Sequence, residues 1–274
     1  MKKFIGLMLC LLTVLLSGCS NVRTLDDILS SKKLILAVSC DYAPYEFIDF
    51  DEQGNEIYCG ADISFAKYIA SELGVELIIE NVGFEMLLGE LQIGTADISI
   101  SGFTWKEERV GNVQISNSYY QQGEGKQGIL VRKADYEQNK FTTFASLNQK
   151  SVKIGAQNSS VQYDLVGENL NNATLSAFDL ISMGILELNQ GIIDAICVSQ
   201  NIANILIAQN PDKYVFLEET FEVDEEKEGL FCLANIENVE LMEKINEIIA
   251  DMDPNLYQSW YDEAAQKAIE LGQI

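Results

Sequence analysis

Two segments of this 274-residue chain are written almost alike: ELQIGTADIS at Glu90–Ser99 and ELNQGIIDAI at Glu187–Ile196. Each sets a Gly three residues after the Leu and an Asp three residues after the Gly, and the copies start 97 residues apart. A Gly at that place ends a helix, and the apolar run behind the Asp reads as a buried strand. Coincidence is the bland reading of one repeated phrase, since such turns are common. The order of elements around it decides the matter.

In the first half, Thr24 with Asp27 three residues on matches a capping box that leads into Ile28 and Leu29. KLILAVS (33–39) reads as a strand, and Asp51–Asn55 as a hairpin-like turn. Ile63, Ala66, Ile69, Ala70 and Leu73 fall at helical spacing and Gly74 closes the helix. VELIIENV, GFEMLLGELQIG and ADISISG then read as strand, helix and strand. The second half repeats the order, from SVKIGAQ through DLISMGILELNQG to DAICVS and QNIANILIAQ, and ends with a strand (GLFCLAN) and two amphipathic helical stretches. This βαβα alternation predicts an α/β fold of two similar lobes, each a mixed, mostly parallel sheet flanked by helices. Ligands of such sheets sit at the carboxyl ends of the strands, so two facing lobes make a cleft.

Charge and composition narrow the function. Forty-two Asp+Glu against 18 Lys+Arg give −24, which excludes the basic footprint of a nucleic-acid binder; the acidity reads as a solvated, self-repelling surface. The chain has no histidine, which removes the commonest zinc ligand and the commonest general base. No metal, cofactor or catalytic residue is expected.

The N-terminus carries Lys2 and Lys3, an apolar run from Phe4 to Leu16, and Leu16-Ser17-Gly18-Cys19. That is a secretory signal whose apolar core is short for a membrane span. Its end resembles the lipobox of bacterial lipoproteins, implying cleavage after residue 18 and a lipid on Cys19; the alternative is an uncleaved anchor. Cys40, Cys59, Cys197 and Cys232 remain, an even number in an exported chain, so a disulfide is permitted.

SGFTWKEER (Ser101–Arg109) follows the first copy of the phrase. The strand before it delivers Ser101, Gly102 and Thr104 to its carboxyl end: Gly102 admits close approach to the backbone, and Thr104 offers a hydroxyl. Arg109 presents a fork suited to a carboxylate, unless it pairs with Glu107 or Glu108 at the surface.

With that segment the chain resembles the bacterial solute-binding proteins that deliver polar amino acids to ABC transporters, such as the glutamine- and histidine-binding proteins. The resemblance spans residues 31–270 and rests on KLILAVSCDYAPYEF, GADISFAKYIASELG, SGFTWKEER and VKIGAQNSSVQ. It implies a two-lobed periplasmic-binding-protein fold of type II. Residues 1–18 are then the signal and 19–30 the lipidated tether; 31–120 with 226–274 form lobe 1, and 124–223 lobe 2, with hinges near Tyr119–Gly123 and Val223–Lys227. It implies ligand contacts from Ser39 and Ala61, stacking by Tyr42, and carboxylate binding by Ser101, Gly102, Thr104 and Arg109. Ser160 and the Val161 backbone would complete that group, and Gln157 would select the side chain.

The pattern is broken in places. Ala61 stands where a large apolar residue is usual, implying a wider pocket; Ser64 replaces a helix-start Asp, and Ser159 a loop glycine. Ser199 stands where the family has an aspartate for the ligand's α-ammonium, leaving either a ligand without that ammonium or a substitute acid such as Asp41 or Glu124. The expected protein is exported, anchored through lipid and facing the extracellular side or periplasm. It would be monomeric, handing a small-molecule ligand to a permease. The alternatives are a ligand-sensing ectodomain, or a dehydratase using Glu46, Glu124 or Asp41 as its acid.

Overall fold

The structure, a computed structural model, describes residues 22–121, 126–223 and 229–272. The signal segment, Cys19 and Glu124 lie outside them. The chain opens with α1 (Leu25–Ser31), β1 (Lys33–Val38), β2 (Asp41–Tyr42), β3 (Glu46–Phe50), β4 (Glu56–Cys59) and α2 (Ala61–Leu73). β5 (Glu76–Asn81), α3 (Leu87–Ile93), β6 (Ile98–Ser99), β7 (Val113–Ile115) and β8 (Tyr120–Gln121) follow. Next come β9 (Gln127–Arg132), α4 (Lys133–Glu137), α5 (Phe144–Leu147), β10 (Lys153–Gln157), α6 (Val161–Asn169), β11 (Thr174–Phe178) and α7 (Ile181–Gln190). β12 (Ala195–Ser199), α8 (Gln200–Gln209), β13 (Tyr214–Phe221), β14 (Gly229–Leu230), β15 (Leu233–Asn235), α9 (Val239–Asp251) and α10 (Leu256–Leu271) complete the fold.

Two five-stranded sheets form, ordered β5-β1-β6-β15-β7 and β11-β10-β12-β9-β13. Their plans match: two parallel ladders, then two antiparallel ones. Four of the five strands in each sheet run the same way and one, β15 or β9, runs against them, so each sheet is mixed and mostly parallel, as expected. Parallel pairing holds wherever a helix returns the chain between strands. It fails at β9 and β15, which enter their sheets soon after the chain crosses from the other lobe. At the crossing β8 pairs antiparallel with β14, Tyr120 opposite Leu230. Of the expected hinges, residues 122–123 and 224–227 lie outside the described residues. GLFCLAN is two strands, not one, because Phe231 leaves the ladder to donate its N–H to Phe103 O (2.9 Å).

The doubled phrase builds the same joint twice. Gly94 and Gly191 end α3 and α7 at φ +76° and +72°, a conformation only glycine adopts freely. The next N–H reaches back to Glu90 O (3.1 Å) and Glu187 O (2.9 Å), which closes each helix in a Schellman motif. Each Asp then staples its own strand to the neighbouring parallel strand, β1 or β10. Asp97 donates its N–H to Ile35 O (2.9 Å) and accepts the Ile35 N–H on its carboxylate (2.8 Å). Asp194 makes the same two bonds with Lys153, at 2.8 and 3.0 Å. Arg23 pairs with the buried Asp97 at 2.6 Å, and Arg132 approaches Asp194 at 3.7 Å.

Thr24 and Asp27 form the expected capping box of α1. Cys40, Cys59, Cys197 and Cys232 are free thiols, and burial pushes the first, third and fourth upward in pKa.

Candidate functional site

The strands of both lobes end at a cavity lined by Ser39, Asp41, Tyr42, Glu46, Phe84, Ser101, Gly102, Thr104 and Arg109 from one side. Gln127, Gln157, Ser160, Val161 and Gln162 line it from the other. Nine of the eleven residues expected at the ligand are in this wall; Ala61 and Ser199 are not.

Arg109 is the central group. It is 3% exposed, donates from Nη1 to Thr104 O (2.7 Å), and lies 4.8 Å above the Phe103 ring. Its Nε has no hydrogen-bond partner, and no carboxylate pairs with it among the described residues. The surface acid Glu108 pairs instead with Lys106. Burial draws the guanidinium pKa down to about 10, still a cation at neutral pH. A buried, unpaired guanidinium is costly unless something anionic meets it. Opposite, Ser160 caps α6: its Oγ accepts the Tyr163 N–H (3.1 Å) and donates to Gln157 O (2.7 Å). The N-terminus of α6, with Val161 first, therefore faces the same cavity as Arg109, and both favour an anion.

Ser159, where a glycine was expected, holds φ +62°. The left-handed turn is kept without glycine. Gly102 sits at φ +57°, and a Cβ there would meet the Tyr42 ring at 3.0 Å, so both conformation and space call for glycine. Tyr42 covers that backbone, stacks on Tyr45 at 5.4 Å, and bonds Ser199 Oγ through its hydroxyl (3.2 Å). Ser199 is 2% exposed and caps α8 through the Ile202 N–H (3.4 Å). It lies behind the cavity wall, against Tyr42 and opposite Gln127. Ala61 is fully buried at the start of α2, its N–H on Pro44 O (3.0 Å).

A model of the bacterial extracellular solute-binding proteins, family 3, matches residues 34–263. The chain belongs to that family. It is 26% identical over 221 residues to ABC transporter arginine-binding protein 1 of Escherichia coli, covering 81% of this chain and 85% of that one. It is 26% identical to the arginine-binding extracellular protein ArtP of Bacillus subtilis, covering 95% and 98%. Among solved structures it is similar to an amino acid ABC transporter substrate-binding protein from Streptococcus pneumoniae bound to L-arginine. That likeness has a TM-score of 0.80 and 32% identity, covering 88% of this chain and 97% of that one.

This solute-binding protein also lines its cavity with Asp41, which the sequence offered as a substitute acid, and with groups the sequence reading did not assign to ligand binding: Glu46, Phe84, Gln127 and Gln162. Phe84 follows the end of β5 and Gln127 begins β9 opposite Ser199. Strand ends were the available signal for both. Asp41 accepts the Ile181 N–H (2.8 Å) and the Ser39 hydroxyl (3.1 Å), and burial raises its carboxyl pKa. Gln157 donates to Asp179 O (3.0 Å), and Gln162 to Gln127 Oε1 (2.8 Å). No helix among the described residues is long and apolar enough to cross a membrane.

Proposed function

We propose that the chain is the lipid-anchored substrate-binding component of an ABC importer, and that its ligand is an amino acid bearing a second cationic group. The buried Arg109 without a carboxylate partner, facing the α6 N-terminus, carries the reading: it calls for a carboxylate held by Arg109, Thr104 and the Val161 N–H, while the Ser101 and Ser160 hydroxyls, donated to Glu46 and Gln157 O, brace the walls around it. Two acids, Asp41 and Glu46, line the same cavity with the rings of Tyr42 and Phe84. That combination suits a cation by charge and by cation–π attraction. The arginine-binding relatives support it, and the arrangement answers the missing aspartate at Ser199 with substitute acids elsewhere.

Calorimetry with L-arginine, L-glutamine and deaminated arginine tests the ligand. L-arginine should bind tightest, and Arg109→Ala should weaken it at least a hundredfold, since about 1.5–3 kcal/mol per charge-assisted bond is lost and an anion is stranded. Wild-type affinity in Arg109→Ala would remove that residue from the site. Loss of radiolabelled arginine uptake on deletion separates import from sensing. The Leu-Ser-Gly-Cys end of the signal motivates the anchor. Cys19→Ala should leave the membrane fraction or accumulate as precursor; a processed, membrane-bound variant contradicts lipidation.

A further inference from the structure

Beside the carboxylate-binding group lies a pair of acids that it does not use. Glu46 and Asp62 are both fully buried, and one turn holds them together. Ser101 Oγ donates to Glu46 Oε1 (2.8 Å), and the next residue, Gly102, donates its N–H to Asp62 Oδ2 (2.7 Å). Asp62 Oδ1 also accepts the hydroxyls of Tyr119 (2.9 Å) and Tyr257 (2.5 Å). Asp62 thus has three donors and Glu46 one. Glu46 Oε2 has no hydrogen-bond partner among the described residues.

The groups that face Glu46 are Asp62 from α2, Asp41 and Tyr42 from β2, Cys40 just before them, and Tyr119 ahead of β8. None is a cation. Two adjacent carboxylates with no counter-charge, both out of water, cannot cheaply remain anions; sharing one proton removes the conflict. The donors decide which acid keeps it. Three donated hydrogens favour Asp62 as the acceptor, and the orphaned Glu46 Oε2 then gains the only partner it lacks.

We propose that Glu46 is a neutral acid whose Oε2 proton is donated to the Asp62 carboxylate, and that the side-chain cation of the ligand displaces this proton to solvent on binding. Burial, then the Asp62 charge, pushes Glu46 well above the usual carboxylate range; burial also raises Asp62, opposed by its donors. Glu46 lines the cavity while Asp62 does not, so the acid that releases the proton is the one a ligand meets. A neutral side chain would leave the proton in place. The pair therefore discriminates cationic from neutral ligands, and does so more sharply as pH rises. The displacement step rests on the cationic-ligand reading; the shared proton does not.

Infrared spectroscopy of the purified chain without ligand tests the shared proton. A protonated-carboxyl band at pH 7 should be present in the wild type and absent in Glu46→Gln. The amide of that variant can still accept from Ser101 and donate to Asp62, so the fold should survive with an unchanged or higher Tm. Calorimetry with L-arginine in two buffers of different ionisation enthalpy tests the displacement. At pH 6 proton release should approach one per arginine in the wild type and vanish in Glu46→Gln. Wild-type affinity should tighten by up to about tenfold per pH unit while Glu46 titrates. Absence of the carboxyl band overturns the shared proton. Arginine binding with buffer-independent heats, or with equal proton release in both proteins, overturns the displacement while leaving the ligand reading intact. No arginine binding at all sinks the ligand reading and the displacement together, and the infrared band still decides the proton.

Discussion

Ser199 accepts the Ile202 N–H at the start of α8 and meets the Tyr42 hydroxyl, so its oxygen is committed on both sides. A position that reads in sequence as a missing ligand anion is, in the fold, a helix cap and a support for the aromatic wall. Asp caps a helix as well as Ser does, so Ser199→Asp should fold with little change in Tm, whereas Ser199→Ala should cost about 1 kcal/mol. If the ligand's α-ammonium lies within reach of Tyr42, Ser199→Asp should tighten L-arginine at least tenfold and leave its deaminated analogue unmoved. Equal affinity in wild type and variant would place the ammonium elsewhere. Arg109, Ser101 and Gly102 were legible because one short segment after a buried strand carries them all. Gln127 and Phe84 were not, since a wall residue assembled from distant strands has no local spacing to announce it. Ser159 shows the converse: the glycine signature there concerned a positive φ, and a serine meets it.

The elements themselves were legible wherever local chemistry decides them. The capping box at Thr24, the helical spacing of α2 with its Gly74 cap, and the two Gly-to-Asp joints all form from neighbours in sequence. What escaped depends on partners far along the chain. The one reversed strand of each sheet, β15 or β9, follows from where the chain crosses between lobes, which no periodicity encodes. α7 makes the point at its N-terminus. Leu180 supplies no side-chain cap, and the free Ile181 N–H is instead taken by Asp41, 140 residues earlier and in the other lobe. A helix end of lobe 2 is thus completed by lobe 1, which ties the stability of an element to the contact between lobes. The same carboxylate lines the cavity, so closure, capping and the charge presented to a ligand are one arrangement.

Across the whole molecule, the lobes are joined on two sides of the cavity. On one side are the Asp41–Ile181 bond, the Tyr42–Ser199 pair, and Asn201 donating to the Tyr45 hydroxyl (2.9 Å). On the other, Lys106 reaches from the loop after β6 to Asp164 on α6 (2.9 Å) and to Ser159 O (3.4 Å). The ammonium is 8% exposed while Asp164 is 38% exposed, so water screens the pair and its worth is modest. Position gives it influence nonetheless: it holds the left-handed turn at Ser159, next to the capping Ser160, against the lobe that carries Arg109. Opening the lobes must break it. A contact made only when the lobes meet should act chiefly on release, as most interface contacts do. Lys106→Met keeps the packing stem and removes the charge, so it should leave Tm without ligand nearly unchanged and raise the release rate of bound L-arginine about five- to tenfold, or about 1 kcal/mol. Stopped-flow displacement checks this, and 0.5 M salt should narrow the gap between wild type and variant by screening the wild-type pair. Identical release rates at low salt would mean that the other side alone holds the lobes closed.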